Sequence, residues 1–208
     1  KDESKVHDYP LLNINKTPGE LNAVKYPMAG QTSEMPCIGI FNLEKQKTNY
    51  IKPRGAKDNY LTNISFTPDN NHVLIAEVNR DQNHMWLNLY KTTGEFIKTL
   101  LEEENSRWVE PEHPAYFPND DNSNFIWISE KSGFNNLYYY NIEGELIKQL
   151  TDHDFVVKDI LTSKNNNIYY SATGENPMNN LSYCVSLDGK KQKLLTPNEG
   201  THSFSISS

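Results

Sequence analysis

The side chains best suited to acid–base or metal chemistry are scattered along this chain. The six histidines show no H-x-x-x-H or H-E-x-x-H spacing, which would place two of them on one metal ion. Asp152, His153 and Asp154 are adjacent, but they fall between two predicted strands and favour a turn over a ligand set. The sequence contains neither a G-x-S-x-G elbow for a nucleophilic serine nor a glycine-rich phosphate loop. It therefore predicts no catalytic residues, no metal and no cofactor.

One connection combines acidic, basic and aromatic side chains. It runs from Glu102 to Pro111 and contains Arg107, Trp108 and Glu110. Connections of this kind often carry binding residues. A solvated acidic turn with one packed tryptophan accounts for the same pattern equally well, so both interpretations stay open at this point.

The predicted strands on both sides of this connection belong to a sequence repeat. Residues 112–152 contain four short runs rich in aromatic and β-branched residues, separated by turn residues, which predicts a four-stranded antiparallel sheet. The run that begins at Phe125 is apolar on both faces, so this sheet is expected to lie between two others. The four runs are His113 to Pro118, Phe125 to Glu130, Asn136 to Ile142 and Glu145 to Leu150.

The same unit recurs on both sides of the sheet predicted at residues 112–152. Pro118 and Gly144 have counterparts in Pro68 and Gly94 fifty residues earlier, and Gly144 has another in Gly189. Four-stranded units of about 45 residues in series are typical of a β-propeller. The chain is predicted to be all-β, a partial β-propeller of about three to four four-stranded antiparallel blades. The predicted segments within one domain, 1–208, are an arm at 6–36, a half blade at 37–55, complete blades at 61–101, 112–152 and 156–196, and the first strand of a next blade at 202–208.

The chain is expected to be a slice of a larger ring, because known propellers have roughly four to eight blades. An incomplete ring leaves end sheets uncovered. Strands from the two ends are therefore expected to pair, within one chain or between chains. The arm is rich in proline and carries two short apolar runs, which predicts a projecting, loosely two-stranded extension; a disordered tail is the alternative.

Composition excludes two classes of partner. The formal net charge is −7 and the isoelectric point is near 5.4, with no block of lysine or arginine, which argues against nucleic acid and anionic membrane surfaces. No apolar run approaches the roughly 18 residues of a membrane span. The two cysteines, Cys37 and Cys184, fall in predicted third strands of different sheets and are expected to be buried and unpaired.

Several segments taken together resemble the amino-terminal propeller of the dipeptidyl peptidase IV family, a group of prolyl oligopeptidase-type serine peptidases, and the likeness is greatest to its bacterial members. They follow one another in the family's order and spacing across essentially the whole chain. The segments are Lys1 to Val6, Tyr26 to Gly30, Val78 to Asn83, Trp108 with Val109, Phe125 to Phe134, and Leu150 with Thr151.

The resemblance implies a parent enzyme that releases amino-terminal dipeptides, often after Pro or Ala, in the periplasm or at the bacterial cell surface. In the family the propeller covers an α/β-hydrolase domain that holds the catalytic triad, and that domain is expected to lie outside these 208 residues. This segment would then be non-catalytic and would gate access of the peptide substrate. The family's pattern places Arg107, Trp108 and Glu110 on the substrate side, although this connection is shorter than in animal members.

The resemblance also implies a role for the arm. Family members use the corresponding extension in dimer contacts, which makes Tyr9, Leu11, Leu12 and Tyr26 candidate contact residues in a homodimer or a strand-exchanged oligomer. Two alternatives remain open: a free-standing propeller that binds a ligand or protein without enzymatic activity, and a scaffold without ligand contacts.

Overall fold

The computed structural model describes residues 1–206, and their regular structure is β apart from one short 3-10 helix at Pro118–Asp120. Each strand is short and most are rich in β-branched or aromatic residues, as expected for half-buried strands. In chain order the strands are β1 Asp8–Asn13, β2 Glu20–Lys25, β3 Gly39–Asn42, β4 Lys47–Tyr50, β5 Tyr60–Phe66, β6 His72–Val78, β7 His84–Lys91, β8 Phe96–Glu104, β9 Asn124–Ser129, β10 Asn136–Asn141, β11 Leu146–Gln149, β12 Val157–Lys164, β13 Asn167–Ala172, β14 Leu181–Ser186 and β15 Gln192–Leu194.

Every paired strand lies beside its neighbour in sequence and runs antiparallel to it. The first full sheet is β5-β6-β7-β8, the middle sheet is β9-β10-β11, and the last sheet is β12-β13-β14-β15. Two smaller sheets, β1-β2 and β3-β4, precede them. Small antiparallel sheets in series confirm the predicted all-β fold, a partial propeller with no closed barrel.

The core lies between successive sheets. Leu87 of the first sheet belongs to one buried cluster with Trp127 and Tyr138 of the middle sheet. Ile126 of the middle sheet belongs to another buried cluster with Ile168 of the last sheet. Side chains alternate faces along a strand, so the adjacent residues 126 and 127 serve opposite interfaces. The middle sheet is therefore sandwiched between two others, as its apolar sequence predicts.

Turns between the third and fourth strands explain the repeated glycines. Gly94, Gly144 and Gly189 have φ values of +91°, +93° and +69°, in the left-handed region that L side chains rarely adopt. A Cβ added at Gly144 would also collide with the carbonyl oxygen of Leu100, in the sheet before it. The glycine therefore both makes the turn and lets two sheets approach.

The predicted first strand of the middle sheet is wrong for residues His113 to Pro118. Only Tyr116 pairs there, in an isolated bridge to Ile126, and the 3-10 helix begins at Pro118. Pro114 and Pro118 have no backbone N–H to donate to a ladder, and this accounts for the single bridge. The middle sheet thus has three strands where the sequence predicts four.

The cysteine prediction is wrong in its burial. Cys37 is exposed and precedes β3, whereas Cys184 is half-buried within β14; neither forms a disulfide. The third strand of the half blade was predicted to include residue 37. In the structure this strand begins at Gly39 and pairs with β4 over four residues, with one further backbone hydrogen bond from Ile51 to Ile38.

The two ends of the described chain do not pair with each other. Asp2 bridges Met35, and Thr201 bridges Asn180, so each end folds back on its own neighbourhood. Within residues 202–206 the predicted first strand of a next blade is not formed, because no second strand is beside it. The remainder of that predicted strand, 207–208, lies outside the described residues.

Candidate functional site

The three residues singled out in the connection after β8 line one cavity. Arg107, Trp108 and Glu110 face a cleft of about 220 Å³ that we call the Trp108 cavity. Its walls come from the end of β8, from the connection itself and from residues 128–133 at the end of β9 and the turn after it. The three residues are neighbours in sequence, and the structure shows that their side chains also line one cavity.

Backbone hydrogen bonds hold the connection so that its tryptophan projects. The N–H of Asn105 donates to the carbonyl of Asn83 at 2.9 Å, and the N–H of Val109 donates to the carbonyl of Gln82 at 2.7 Å. The Asn105 side chain accepts from the N–H of Arg107 at 2.9 Å. Anchored on both sides, Trp108 keeps 54% of its surface exposed. An exposed indole of this size is a typical binding contact.

Below the connection, a lysine lies between two tyrosines. The Lys131 ammonium is 3.9 Å from the ring centre of Tyr138 and donates a 2.7 Å hydrogen bond to the hydroxyl of Tyr140. Burial lowers the pKa of Lys131, and the carboxylate of Glu103 partly offsets this. The same burial raises the pKa of Tyr140 to about 12. These contacts fix one wall of the cavity rather than offer a mobile group to a ligand.

Acidic side chains dominate the cavity's electrostatics. Burial raises the pKa of Glu103, and its Oε1 atom has no hydrogen-bond partner. Burial also raises the pKa of Glu130, reinforced by the nearby carboxylates of Glu110 and Glu112. A cavity with an exposed indole, several carboxylates and one guanidinium can hold the N–H groups and apolar side chains of a peptide. Its lining includes Ser129 but no histidine to serve as a base.

The four candidate contact residues of the arm lie on β1, or just after β2, and are exposed. Relative exposures are 37% for Tyr9, 47% for Leu11, 61% for Leu12 and 60% for Tyr26. The rings of Tyr9 and Tyr26 lie 5.9 Å apart, so they form one aromatic patch. Leu12 is on the other face of the strand, since alternate residues point to opposite sides.

Other residues of both sites were missed by the sequence analysis. Glu103 was not among the candidate residues, because the predicted blade ends at residue 101 and the connection begins at Glu102, whereas β8 continues to Glu104. In the arm, Leu21 is 69% exposed and pairs with Leu12, extending the apolar surface.

Comparison with known proteins decides the family. A family model described as the dipeptidyl peptidase IV (DPP IV) N-terminal region matches residues 1–208. The chain belongs to this family. The resemblance of its short segments to dipeptidyl peptidase IV propellers is thereby confirmed, and the relatives described below carry dipeptidyl peptidase names.

Individual relatives agree with the family assignment. "Probable dipeptidyl-aminopeptidase B" of Arthroderma gypseum is 28% identical over 211 residues, which cover 91% of this chain and 23% of that protein. The crystal structure of a candidate dipeptidyl aminopeptidase IV from Bacteroides ovatus superposes with a TM-score of 0.83 at 34% identity, covering 92% of this chain and 30% of that one.

A second solved structure supports the fold alone. Porphyromonas gingivalis dipeptidyl peptidase 4 superposes with a TM-score of 0.82 at 23% identity, covering 95% of this chain and 28% of that one. The chain thus spans between about a quarter and a third of the length of these relatives. Among residues 1–206, no helix has the length and apolarity needed to cross a bilayer.

Proposed function

We propose that this chain is a non-catalytic propeller segment of a dipeptidyl peptidase IV-like serine exopeptidase. The parent releases amino-terminal Xaa-Pro or Xaa-Ala dipeptides from peptides, and its hydrolase domain supplies the catalytic residues. Family membership over the whole chain carries the proposal. The names of the Arthroderma gypseum and Bacteroides ovatus relatives, both dipeptidyl aminopeptidases, support the reaction class. The proposal places the parent in the periplasm or at the bacterial cell surface.

Within the parent, the Trp108 cavity gates access of the peptide substrate. The support is geometric, because Arg107, Trp108 and Glu110 converge on one cleft although they project from an irregular connection. The indole provides apolar contact area, and the carboxylates of Glu110 and Glu130 accept hydrogen bonds from peptide N–H groups. A peptide held in this way is positioned by the propeller and cleaved elsewhere.

The arm contributes to a homodimer. Leu12 and Leu21 form a cross-strand pair that is mostly exposed. When a second chain covers such an exposed apolar pair, the buried apolar surface stabilises the dimer.

Kinetics of the parent protein test the gating role. Trp108→Ala is expected to raise KM for an Ala-Pro chromogenic dipeptide substrate by about fivefold with a smaller effect on kcat, because it removes binding area and no reacting group. Ile147→Ala is the matched control, since Ile147 is 52% exposed on β11 and does not line the cavity. Unchanged kinetics of Trp108→Ala would contradict the gating role. A parent protein without dipeptidyl peptidase activity would contradict the peptidase proposal.

A further inference from the structure

A second and larger cavity lies one sheet further along the chain. It has a volume of about 940 Å³ and is formed by the connection at 153–155, the loop at 174–179, strands β14 and β15, and residues 198–200. We call it the Phe155 cavity. Its volume is within the range of 300–1,000 Å³ that is common for ligand sites.

The two cavities occupy equivalent positions in successive sheets. Each is lined by the connection that enters a sheet and by a loop between two strands of that sheet, β9 and β10 for the Trp108 cavity and β13 and β14 for the Phe155 cavity. Glu130 and Glu175 line the two cavities and are 45 residues apart, which is also the spacing of Gly144 and Gly189. The Phe155 cavity is therefore on the same rim of the stacked sheets as the Trp108 cavity.

The segment that follows residues 198–200 makes the same backbone contact to the last sheet as the segment after Phe155 makes to the middle sheet. The N–H of Val157 donates to the carbonyl of Asn135 at 3.0 Å. Forty-five residues later the N–H of His202 donates to the carbonyl of Asn180 at 2.9 Å. Gly200 is fixed as well, through a 3.0 Å hydrogen bond from its N–H to the side chain of Asn179.

Aromatic rings form a shelf along one side of this cavity. The rings of His153 and Phe155 stack at 4.0 Å with an angle of 22°, and the Tyr183 ring is 5.8 Å from each of them. Gln192 closes the end of the shelf by donating to the hydroxyl of Tyr170 at 2.7 Å. Phe155 keeps part of its surface exposed, so a ligand can reach the shelf.

Polar groups also line the cavity. Asn176 and Asn198 contribute amides, Glu175 and Glu199 contribute carboxylates, and Lys193 contributes the one ammonium of the lining. Amides both donate and accept, as a peptide backbone requires. Burial lowers the pKa of His153, so the shelf is uncharged near neutral pH.

We propose that the Phe155 cavity binds the downstream part of the peptide substrate, beyond the dipeptide that is released. The inference rests on the proposed function, because the cavity shares its rim with the cleft assigned to substrate access. A cavity lined by both an aromatic shelf and amide groups fits an extended, uncharged peptide segment, whose apolar side chains or proline rings pack on the rings. A longer peptide would thus gain affinity that a dipeptide derivative cannot.

Binding of an uncleavable peptide to the full-length protein tests this directly. The probe is a fluorescent decapeptide with an acetylated amino terminus, followed by anisotropy. Phe155→Leu keeps apolar contact with the core but removes the planar ring, and it is expected to weaken binding about fivefold or more. Phe155→Trp restores a plane and is expected to bind within twofold of wild type. Lys191→Ala, next to β15 and outside the lining, is the matched control.

Hydrolysis separates this proposal from the preceding one. Phe155→Leu is expected to raise KM for a cleavable decapeptide while leaving a dipeptide anilide unaffected. Unchanged decapeptide binding by Phe155→Leu overturns the site, and an equal loss on both substrates assigns Phe155 a structural role instead. A wild-type protein that cleaves neither substrate defeats the peptidase proposal, whereas the acetylated peptide still reports on the cavity.

Discussion

Two strand pairs of equal size have opposite surroundings. Strands β9 and β10 share six paired residues, and so do β1 and β2. In the first pair Trp127 and Tyr138 have 0% and 1% of their surface exposed. In the second pair Leu12 and Leu21 have 61% and 69% exposed. The same local structure is thus sealed between sheets in one place and open on both faces in the other.

The difference shows which interactions stabilise the fold. Ladder hydrogen bonds exchange for hydrogen bonds to water, so each contributes only about 0.5–1.5 kcal/mol net. Burial contributes about 25 cal/mol per Å² of apolar surface, and an isolated two-stranded hairpin is marginal without it. The middle sheet is stabilised by apolar burial on both faces, whereas the arm is stabilised in this way only when another surface covers its leucines.

The largest effect is expected from the sealed pair. Trp127→Ala leaves a cavity between the first and middle sheets and is expected to lower the free energy of unfolding by about 3–5 kcal/mol. Urea denaturation of the full-length protein measures this. Leu12→Ala in the arm is the matched control, expected to change stability by less than about 0.5 kcal/mol. Similar losses in both variants would mean that the arm is packed in solution as tightly as the sheets.

A glycine substitution sharpens the same comparison at the level of the backbone. Gly144→Ala puts a side chain at φ +93° and against the Leu100 carbonyl, so it is expected to cost about 1–3 kcal/mol. Gly19 in the arm turn has no positive φ, and its nearest neighbour is the flexible end of Leu12. Gly19→Ala is therefore expected to be nearly neutral. Equal denaturation midpoints for the two variants would contradict this account of the repeated turns.

A smaller effect is expected from the half-buried carboxyl of Glu103. Burial raises its pKa above the ordinary value of 4.5, so the folded protein holds this proton more tightly than the unfolded chain. The associated stability is complete below about pH 4.5 and is lost as the pH rises through the raised pKa. Glu103→Gln cannot ionise and is expected to gain stability relative to wild type between pH 4 and pH 7, by less than the glycine effect. Parallel pH profiles would show that Glu103 is solvated.

Alternation along β9 made the stacking of the sheets predictable from sequence. Phe125, Ile126 and Trp127 leave neither face polar, and only a sheet covered on both sides accommodates such a strand. The spacing of about 45 residues between repeats predicted the number of sheets. The sequence signal against a strand at residues 113–118 is the pair Pro114 and Pro118, because neither has a backbone N–H to donate to a ladder.

The site was less predictable than the fold. Trp108 stood out by residue type, whereas the second wall of its cavity comes from residues 128–133, which are remote in sequence. The Phe155 cavity depends even more on folding, because His153 had been assigned to a turn. Its ring becomes part of a shelf only when Tyr183, thirty residues later, packs beside it. The periodicity of a single sequence predicts strands and turns, but it does not show which side chains from distant segments lie together.

The molar mass of the full-length protein in solution tests the contrast between sealed sheets and open arm most directly. Sedimentation equilibrium of the double variant Leu12→Asp with Leu21→Asp is expected to show a dimer dissociation constant raised at least about tenfold, because the dimer buries the new charges in an apolar contact. The denaturation midpoint is expected to stay unchanged, because in the monomer these charges face solvent. An unchanged dimer constant would contradict the account, since the exposed leucines would then serve no association.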